Sequence, residues 1–540
     1  MINFKVLRHL SKYIQLVFIL LAYNASSQNE TKFWYFGNKA GIDFNSSPPT
    51  VLTNGVMNAS EGCATISDPS GNLLFYTDGL TIWNKTHSVM VNGSGLFADI
   101  SSTQSSIIIK QPGNSSVYYV FTQGSPTGTL AGLYYSIVDM NLSGGYGSVT
   151  VKNSTIFTTG TEKLAAVKHA NGNDFWVLSH DWNNNIFRAN LLTSQGLSNT
   201  VVTSTVGSIY SNADYGGQMK ISPDGKKLGV ALYTNSFELY DFNTANGVVF
   251  NPLILANNLI GAYGCEFSPD SKKFYGGTNN NDSIYQWDLC SKSNSLILAS
   301  KQVIGTSTIQ VPCAMQLAPN GKIYFARINL PVIGAIHNPN MAGTACNYDD
   351  LALTITTGTS SFGLPNFVSS YFYPGPTLTV NATGNFSICS GESKTLVVSG
   401  ASSYTWNGNY ISSILAVTPI ITSTYTVVGT TSTGCLFDEA ATVSVSACLG
   451  LQGLQMAEYK FQIWPNPADN VLVAEALEAT TDLMKIQIYN NLGQLIKEDD
   501  LQFKNKKAEI RTADLPNGVY LLLFKNSHSE TSSKRFVINR

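Results

Sequence analysis

Charge is scarce in this chain. Asp, Glu, Lys and Arg make up 12% of the 540 residues and nearly cancel, leaving a formal net charge of −2. No run of Lys or Arg interrupts that balance, so the basic footprint of a nucleic-acid binder is missing and no nucleic-acid partner is expected. Histidine is scarcer still, at six residues. His9 and His528 lie near the two ends, which leaves too few for a multi-histidine metal centre, and neither a metal site nor a catalytic residue is assigned. The eight cysteines contain no CxxC pair, which removes a zinc ribbon and a thioredoxin-like redox site. Long apolar runs are missing too: "YIQLVFILLAY" at Tyr13 stops well short of the ~20 residues that span a bilayer.

That short run nevertheless has a meaning. "MINFKVLRHLSK" places Lys5, Arg8 and Lys12 before it, and the small residues Ala25 to Ser27 follow it. This is the layout of a removable secretory signal over residues 1–27, with no transmembrane segment in the mature chain. Export makes disulfides accessible. Ser, Thr, Asn, Gly, Tyr and Phe dominate the remainder, a composition that favours short strands joined by polar turns, so an all-β protein of several domains is expected.

One pattern recurs six times: an apolar strand, a polar turn, then a second apolar or aromatic strand. It reads "CATISDPSGNLLFYTDG", "SIIIKQPGNSSVYYVFT", "AAVKHANGNDFWVLSH", "QMKISPDGKKLGVALY", "CEFSPDSKKFYGGT" and "AMQLAPNGKIYFAR". The turn residue falls at Gly71, Gly113, Gly172, Gly225, Ser271 and Gly321. Third strands such as "FELYDFN" and "SIYQWDL" follow. A period of roughly 50 residues with three or four strands per unit marks a β-propeller, whose blades bury their faces on one another. Seven blades over 28–373 fit best, with six or eight as alternatives. "FWYFGNKAGIDF" before the first copy and "SSFGLPNFVSSYFY" after the last place the two chain ends in one closing blade.

"PGP" at Pro374 to Pro376 reads as a stiff linker. From 374 to 450 the strands "KTLVVSG", "SYTWNGN" and "STYTVVG" suggest a small β-sandwich. Cys389, Trp406 and Cys435 resemble the core of an immunoglobulin-like domain, and a Cys389–Cys435 disulfide with Cys448 left over is expected. Residues 458–540 form a last β module. In it "WPNPADNVL", "IYNNLGQ" and "LPNGVYLL" precede a basic and apolar terminus. That succession resembles the C-terminal sorting domain of type IX secretion substrates in the Bacteroidota. The resemblance implies the type IX machinery as a partner, delivery to the outer-membrane surface or beyond, and removal of the tail in many members. Pro465, Asn466, Pro467, Gly493, Pro516, Gly518 and Tyr520 correspond to its motif positions. The body, through "WYFGNKAGIDF", "EGCATISDPSGNLLFYTDG" and "GLPNF", resembles the surface propellers that accompany such tails.

A propeller usually binds ligands where its inner strands begin, with the hairpin turns on the opposite face. The residues at those starts and in the neighbouring loops are Glu61, Gln104, Glu162, Lys163, Tyr215 and Tyr263, joined by His180, Asp181 and Trp182. Acids, amides and aromatic rings together suit an extracellular glycan, peptide or protein ligand. Glu61 and Glu162 as paired carboxylates, with His180 as proton shuttle, would serve a polysaccharide or peptide hydrolase or lyase. A structural adhesion component is the third reading. No cofactor is required; "DWNNN" and "TNNNDS" would offer oxygens to calcium, without the spacing of a dedicated calcium loop. Cys265 and Cys313, at equivalent places in adjacent repeats, are either free core thiols or a bridge.

Overall fold

The first hairpin shows why the repeat folds as it does. Ala64–Ser67 pairs antiparallel with Leu73–Thr77, and Ile66 faces Phe75 across the ladder. Asp68 Oδ1 accepts the backbone N–H groups of Ser70 and Asn72 at 2.8 and 2.9 Å, closing the turn locally. Gly71 then takes φ +84°, a conformation a side chain resists. Ser271 holds the same position at φ 61° in the one repeat without glycine.

In the computed structural model the described residues are 29–540 apart from 129, 292, 310, 374–377, 383–384, 432–434, 447–460, 478–482, 492 and 526–530. The expected signal (1–27), the Pro374 to Pro376 linker and Cys448 lie outside them. Strands dominate throughout. Four blades are four-stranded sheets, beginning at Gly160–Lys168, Met219–Ile221, Ala262–Phe267 and Pro312–Leu317. Two more, beginning at Ala64–Ser67 and Ser106–Lys110, are joined into one eight-stranded sheet by a parallel pairing of Ser148 with Val91. The first blade has three strands, Phe33–Phe36, Ala40–Asp43 and Thr50–Leu52. The result is an all-β, seven-bladed propeller.

The ring closes between the last blade and the first. Trp34 meets Tyr324 edge to face at 5.9 Å, and Asn38 N–H donates to Thr359 O at 2.9 Å. The two chain ends thus meet at the first blade, as the sequence suggests, through an isolated antiparallel bridge between Asn38 and Thr359. The residues after the last blade then descend beside the inner strands, at the place where the first blade lacks its fourth strand. Phe362 N–H donates to Ser60 O at 3.1 Å, and Asn366 N–H to Cys63 O at 2.8 Å. Asn366 Nδ2 reaches Leu164 O at 2.8 Å, and Lys168 N–H bonds Ser370 Oγ at 3.1 Å. The segment therefore runs from the face where inner strands start to the face of the hairpin turns. Gly363 permits the passage, since a Cβ there would lie 1.8 Å from Glu61 O. Phe367 and Val368 are buried along the way.

The structure divides into two compact units, and the first holds the propeller together with Lys394–Val417 and Thr424–Thr442. Those later segments carry most of a β-sandwich, with Leu396, Trp406 and Val427 buried and Trp406 Nε1 donating to Ser412 O at 3.0 Å. Cys435 does not pair with Cys389. It forms a disulfide with Cys290, 145 residues earlier, on a propeller blade. Cys389 is itself disulfide-bonded. The covalent link is accompanied by Lys226–Asp438 at 3.2 Å and by Lys272 Nζ 4.3 Å from the centre of the Phe437 ring. Cys435 thus anchors the sandwich to the propeller instead of bridging its two sheets.

The second unit includes Val443–Arg540. Its C-terminal module stacks a three-stranded sheet, Phe461–Trp464, Val471–Ala476 and Lys507–Arg511, on a four-stranded one formed by Leu495–Gln502, Leu483–Tyr489, Gly518–Lys525 and Thr531–Ile538. Phe461, Ile486, Leu522, Phe524 and Phe536 fill the space between.

Candidate functional site

Each inner strand exposes a free backbone edge to the axis, and buried N–H and C=O groups there need partners. Side-chain amides and acids supply them. Gln104 Oε1 accepts Met219 N–H at 2.8 Å while its Nε2 donates to Met219 O at 3.1 Å. Gln218 Oε1 accepts from Cys265 and Met315, and Glu266 Oε2 from Leu317 at 3.0 Å. Lys163 Nζ donates to the carbonyls of Gly216, Gly217 and Ala231 at 2.6, 3.0 and 2.8 Å. Its burial pushes the ammonium down to about 8 despite neighbouring acids. Gln104 and Lys163, expected to face a ligand, instead stitch blades together.

His180 and Asp181 are also internal. The His180 ring stacks on Tyr210 with centroids 3.7 Å apart and meets Phe187 edge-on; burial drives its proton affinity well below the usual range. It is not placed to shuttle protons at an open mouth. Asp181 accepts both Nε and Nη2 of Arg188, at 2.6 and 2.9 Å, so the acid of "DWNNN" is already engaged.

The remaining residues do converge where the inner strands begin. Tyr263 OH donates to Glu61 Oε2 at 2.7 Å. Glu162 Oε2 accepts the N–H and hydroxyl of Thr103 at 3.0 and 2.8 Å, and Thr103 Oγ1 accepts Gly217 N–H at 3.1 Å. Desolvation raises the Glu61 carboxyl to about 8, against the hydrogen bonds of Tyr263 and Thr103, with the Glu162 and Asp99 charges adding to the rise. Glu162 is raised as well, again chiefly by burial. Trp182 and Tyr215 are half-buried and meet edge-on at 6.4 Å, and the Trp182 Nε1–H is enclosed without an acceptor among the described residues.

A feature the sequence reading passes over surrounds this group. Val56, Ile100, Ile209, Ile260 and Ile309, each on a connection leading into an inner strand, are between 40% and 60% exposed. The hairpin turns opposite, at 68–72, 111–116, 169–174, 222–226, 268–272 and 318–322, show no exposed large apolar side chain, although the connections between third and fourth strands on that same face expose Leu142, Tyr146, Leu296, Leu298 and Met341. The signal in the sequence is one aliphatic residue on five of six connections, with no polar chemistry to mark it. Cys63, Cys265, Cys313 and Cys346 are free and buried, so no Cys265–Cys313 bridge forms. Among the described residues no group of three or more His, Cys, Asp or Glu is arranged to hold a metal ion. No helix among them is long and apolar enough to cross a membrane.

In the C-terminal module the motif residues make turns and packing contacts. Asn466 Oδ1 accepts Val537 N–H at 2.9 Å between Pro465 and Pro467, each preceded by a cis peptide. Gly493 takes φ +76° in a turn, and Tyr520 stacks on Phe536 while its hydroxyl donates to Pro516 O at 2.8 Å; Gly518 packs beside the Tyr520 ring.

A seven-bladed propeller followed by β-sandwich modules is the class the fold defines. Residues 462–539 match the family described as the secretion system C-terminal sorting domain. The chain therefore carries a type IX sorting domain, which implies export by that system to the cell surface or extracellular space. No curated protein matches the chain. Among solved structures it is similar to Hsv2 of Kluyveromyces lactis, at 9% identity and TM-score 0.35 over 57% of this chain and 90% of that one. The β-propeller domain of Cps50 (Swd1) from Myceliophteria thermophila gives 10% and 0.34, covering 55% and 93%. The periplasmic gluconolactonase PpgL of Pseudomonas aeruginosa gives 12% and 0.32, covering 78% and 100%. At these values nothing of their chemistry transfers to this chain.

Proposed function

We propose that this is a surface-delivered binding protein whose propeller docks a glycan, peptide or protein ligand on the face where its inner strands begin. Residues 1–27 act as the signal that starts export, and the sorting tail, through its Pro465 to Pro467 and Pro516 to Tyr520 turns, is what the type IX machinery reads. One observation carries the reading: five of the six connections leading into inner strands carry a half-exposed aliphatic side chain, on the face that also holds two carboxylates, a tyrosine and the Trp182–Tyr215 pair. Half-exposed aliphatic groups beside acids and aromatic rings are what a recognition surface presents.

The hydrolase reading has less support. Thr103 donates its hydroxyl to Glu162 Oε2 and Tyr263 donates to Glu61 Oε2, so protein groups already engage both carboxyls that a glycosidase would direct at a glycosidic bond and a water. The test is a glycan and peptide array probed with the exported protein and with an Ile209→Asp/Ile260→Asp variant. Signals lost in the variant, with its melting temperature unchanged, support docking on this face. Signals that persist at full strength place recognition elsewhere.

A further inference from the structure

The hairpin face contains a cavity of about 580 Å³ where the inner strands of three successive blades end, at Ser67, Lys110 and Lys168. That is the size of a small-ligand site. Its walls are aromatic: Tyr118 and Phe175 come from the second strands of two blades, and Tyr371, from the axial segment, meets Phe175 edge-on at 6.4 Å. Two of its buried polar atoms are not satisfied by the protein. Ser67 is 1% exposed and its Oγ has no partner among the described residues, nor has Glu30 Oε2. Burying such groups without partners costs free energy unless something else meets them.

The charges point the same way. Neither the Lys110 nor the Lys168 ammonium forms an ion pair with a described residue, although both border the cavity. The acids near them are Glu30, whose carboxyl burial holds above its ordinary range although both ammonium charges pull it down, Asp68, whose Oδ1 is taken by the backbone of its own turn, and Asp174, whose Oδ2 is taken by Asn171 Nδ2 at 2.7 Å. Amides of Asn114 and Asn173 line the rim. Flat aromatic walls accept the apolar face of a sugar ring, hydroxyl and amide groups accept its hydroxyls, and paired lysines accept an anion.

We propose that this cavity binds an anionic saccharide, its acid group between Lys110 and Lys168 and its ring against Tyr118 and Phe175. The site is separate from the docking face above and stands or falls independently of it. A uronate and a sulfated sugar present the same chemistry, and calorimetric titration of the whole exported protein with sodium D-glucuronate, D-glucose 6-sulfate and D-glucose separates them. Either anion is expected to bind at least about tenfold more tightly than glucose, the tighter of the two naming the acid group. Lys110→Met/Lys168→Met should erase that preference, with the thermal transition retained. If the double variant loses its transition, the single Lys110→Gln is read instead, with a loss of about tenfold expected. Equal binding of glucose and both anions, no binding of any, or a preference that survives the lysine substitutions overturns the proposal.

Discussion

Replacing Glu61 by Gln should make the protein more stable in alkaline solution. In the folded chain the Glu61 carboxyl is raised from 4.5 to about 8, first by burial and then by the charges of Glu162 and Asp99, against the hydrogen bonds from Tyr263 and Thr103. The folded state thus holds a proton that the unfolded chain releases at lower pH. Stability from this group is complete below pH 4.5 and is lost as pH rises through about 8. At about 1.4 kcal/mol per pH unit the whole shift would amount to ~5 kcal/mol. Glu162 lies in the same cluster and shares the burden, so a relative gain of about 2–4 kcal/mol is the reasonable expectation for the variant. Gln keeps an oxygen for the Tyr263 hydroxyl and carries no charge at any pH. Urea unfolding followed by tryptophan fluorescence, at pH 5 and pH 8.5, measures the difference between variant and parent. The variant's advantage should grow across that interval and level off above it. Parallel stability curves for the two proteins would refute the reasoning, because Glu61 would then titrate like an exposed acid.

Two other outcomes are expected. Cys290→Ser opens a loop closed across 145 residues, worth up to ~5 kcal/mol in the chain-entropy account, so calorimetry should show the sandwich melting earlier than the propeller; an unchanged single profile would contradict the tether. Asn366→Ala leaves Leu164 O without the donor at 2.8 Å and should cost about 1–3 kcal/mol in urea unfolding, whereas a change under about 0.5 kcal/mol would show that the axial segment does not hold the ring together.

The strands of the propeller were legible because each hairpin carries its own instructions: alternating apolar residues on either side of a turn that Gly71 or Gly225 makes cheap. The count of seven followed from six such repeats plus the two flanking stretches, and Trp406 was marked only by its resemblance to an immunoglobulin-like core. The pairing of Cys435 was not legible, since Cys290 becomes its neighbour only after the ring has formed. For the site, position was readable and role was not. Gln104, Lys163 and Glu162 all stand at inner-strand starts, yet all three satisfy backbone groups of other blades, a demand no single repeat reveals. His180 looked reactive by type and turned out to be wedged between Tyr210 and Phe187. Nothing local marks Lys110 and Lys168, because the cavity they border needs three blades to exist.

The axial descent of residues 362–372 has a bearing on how the protein is made. A chain delivered from its N-terminus can pair the strands of each blade as they emerge, but the first blade waits, its inner place empty, until the stretch around Asn366 arrives. The contacts that close the ring at Ser60, Cys63 and Leu164 all come from this last stretch, so a chain cut short before it has every blade hairpin but none of these closing bonds.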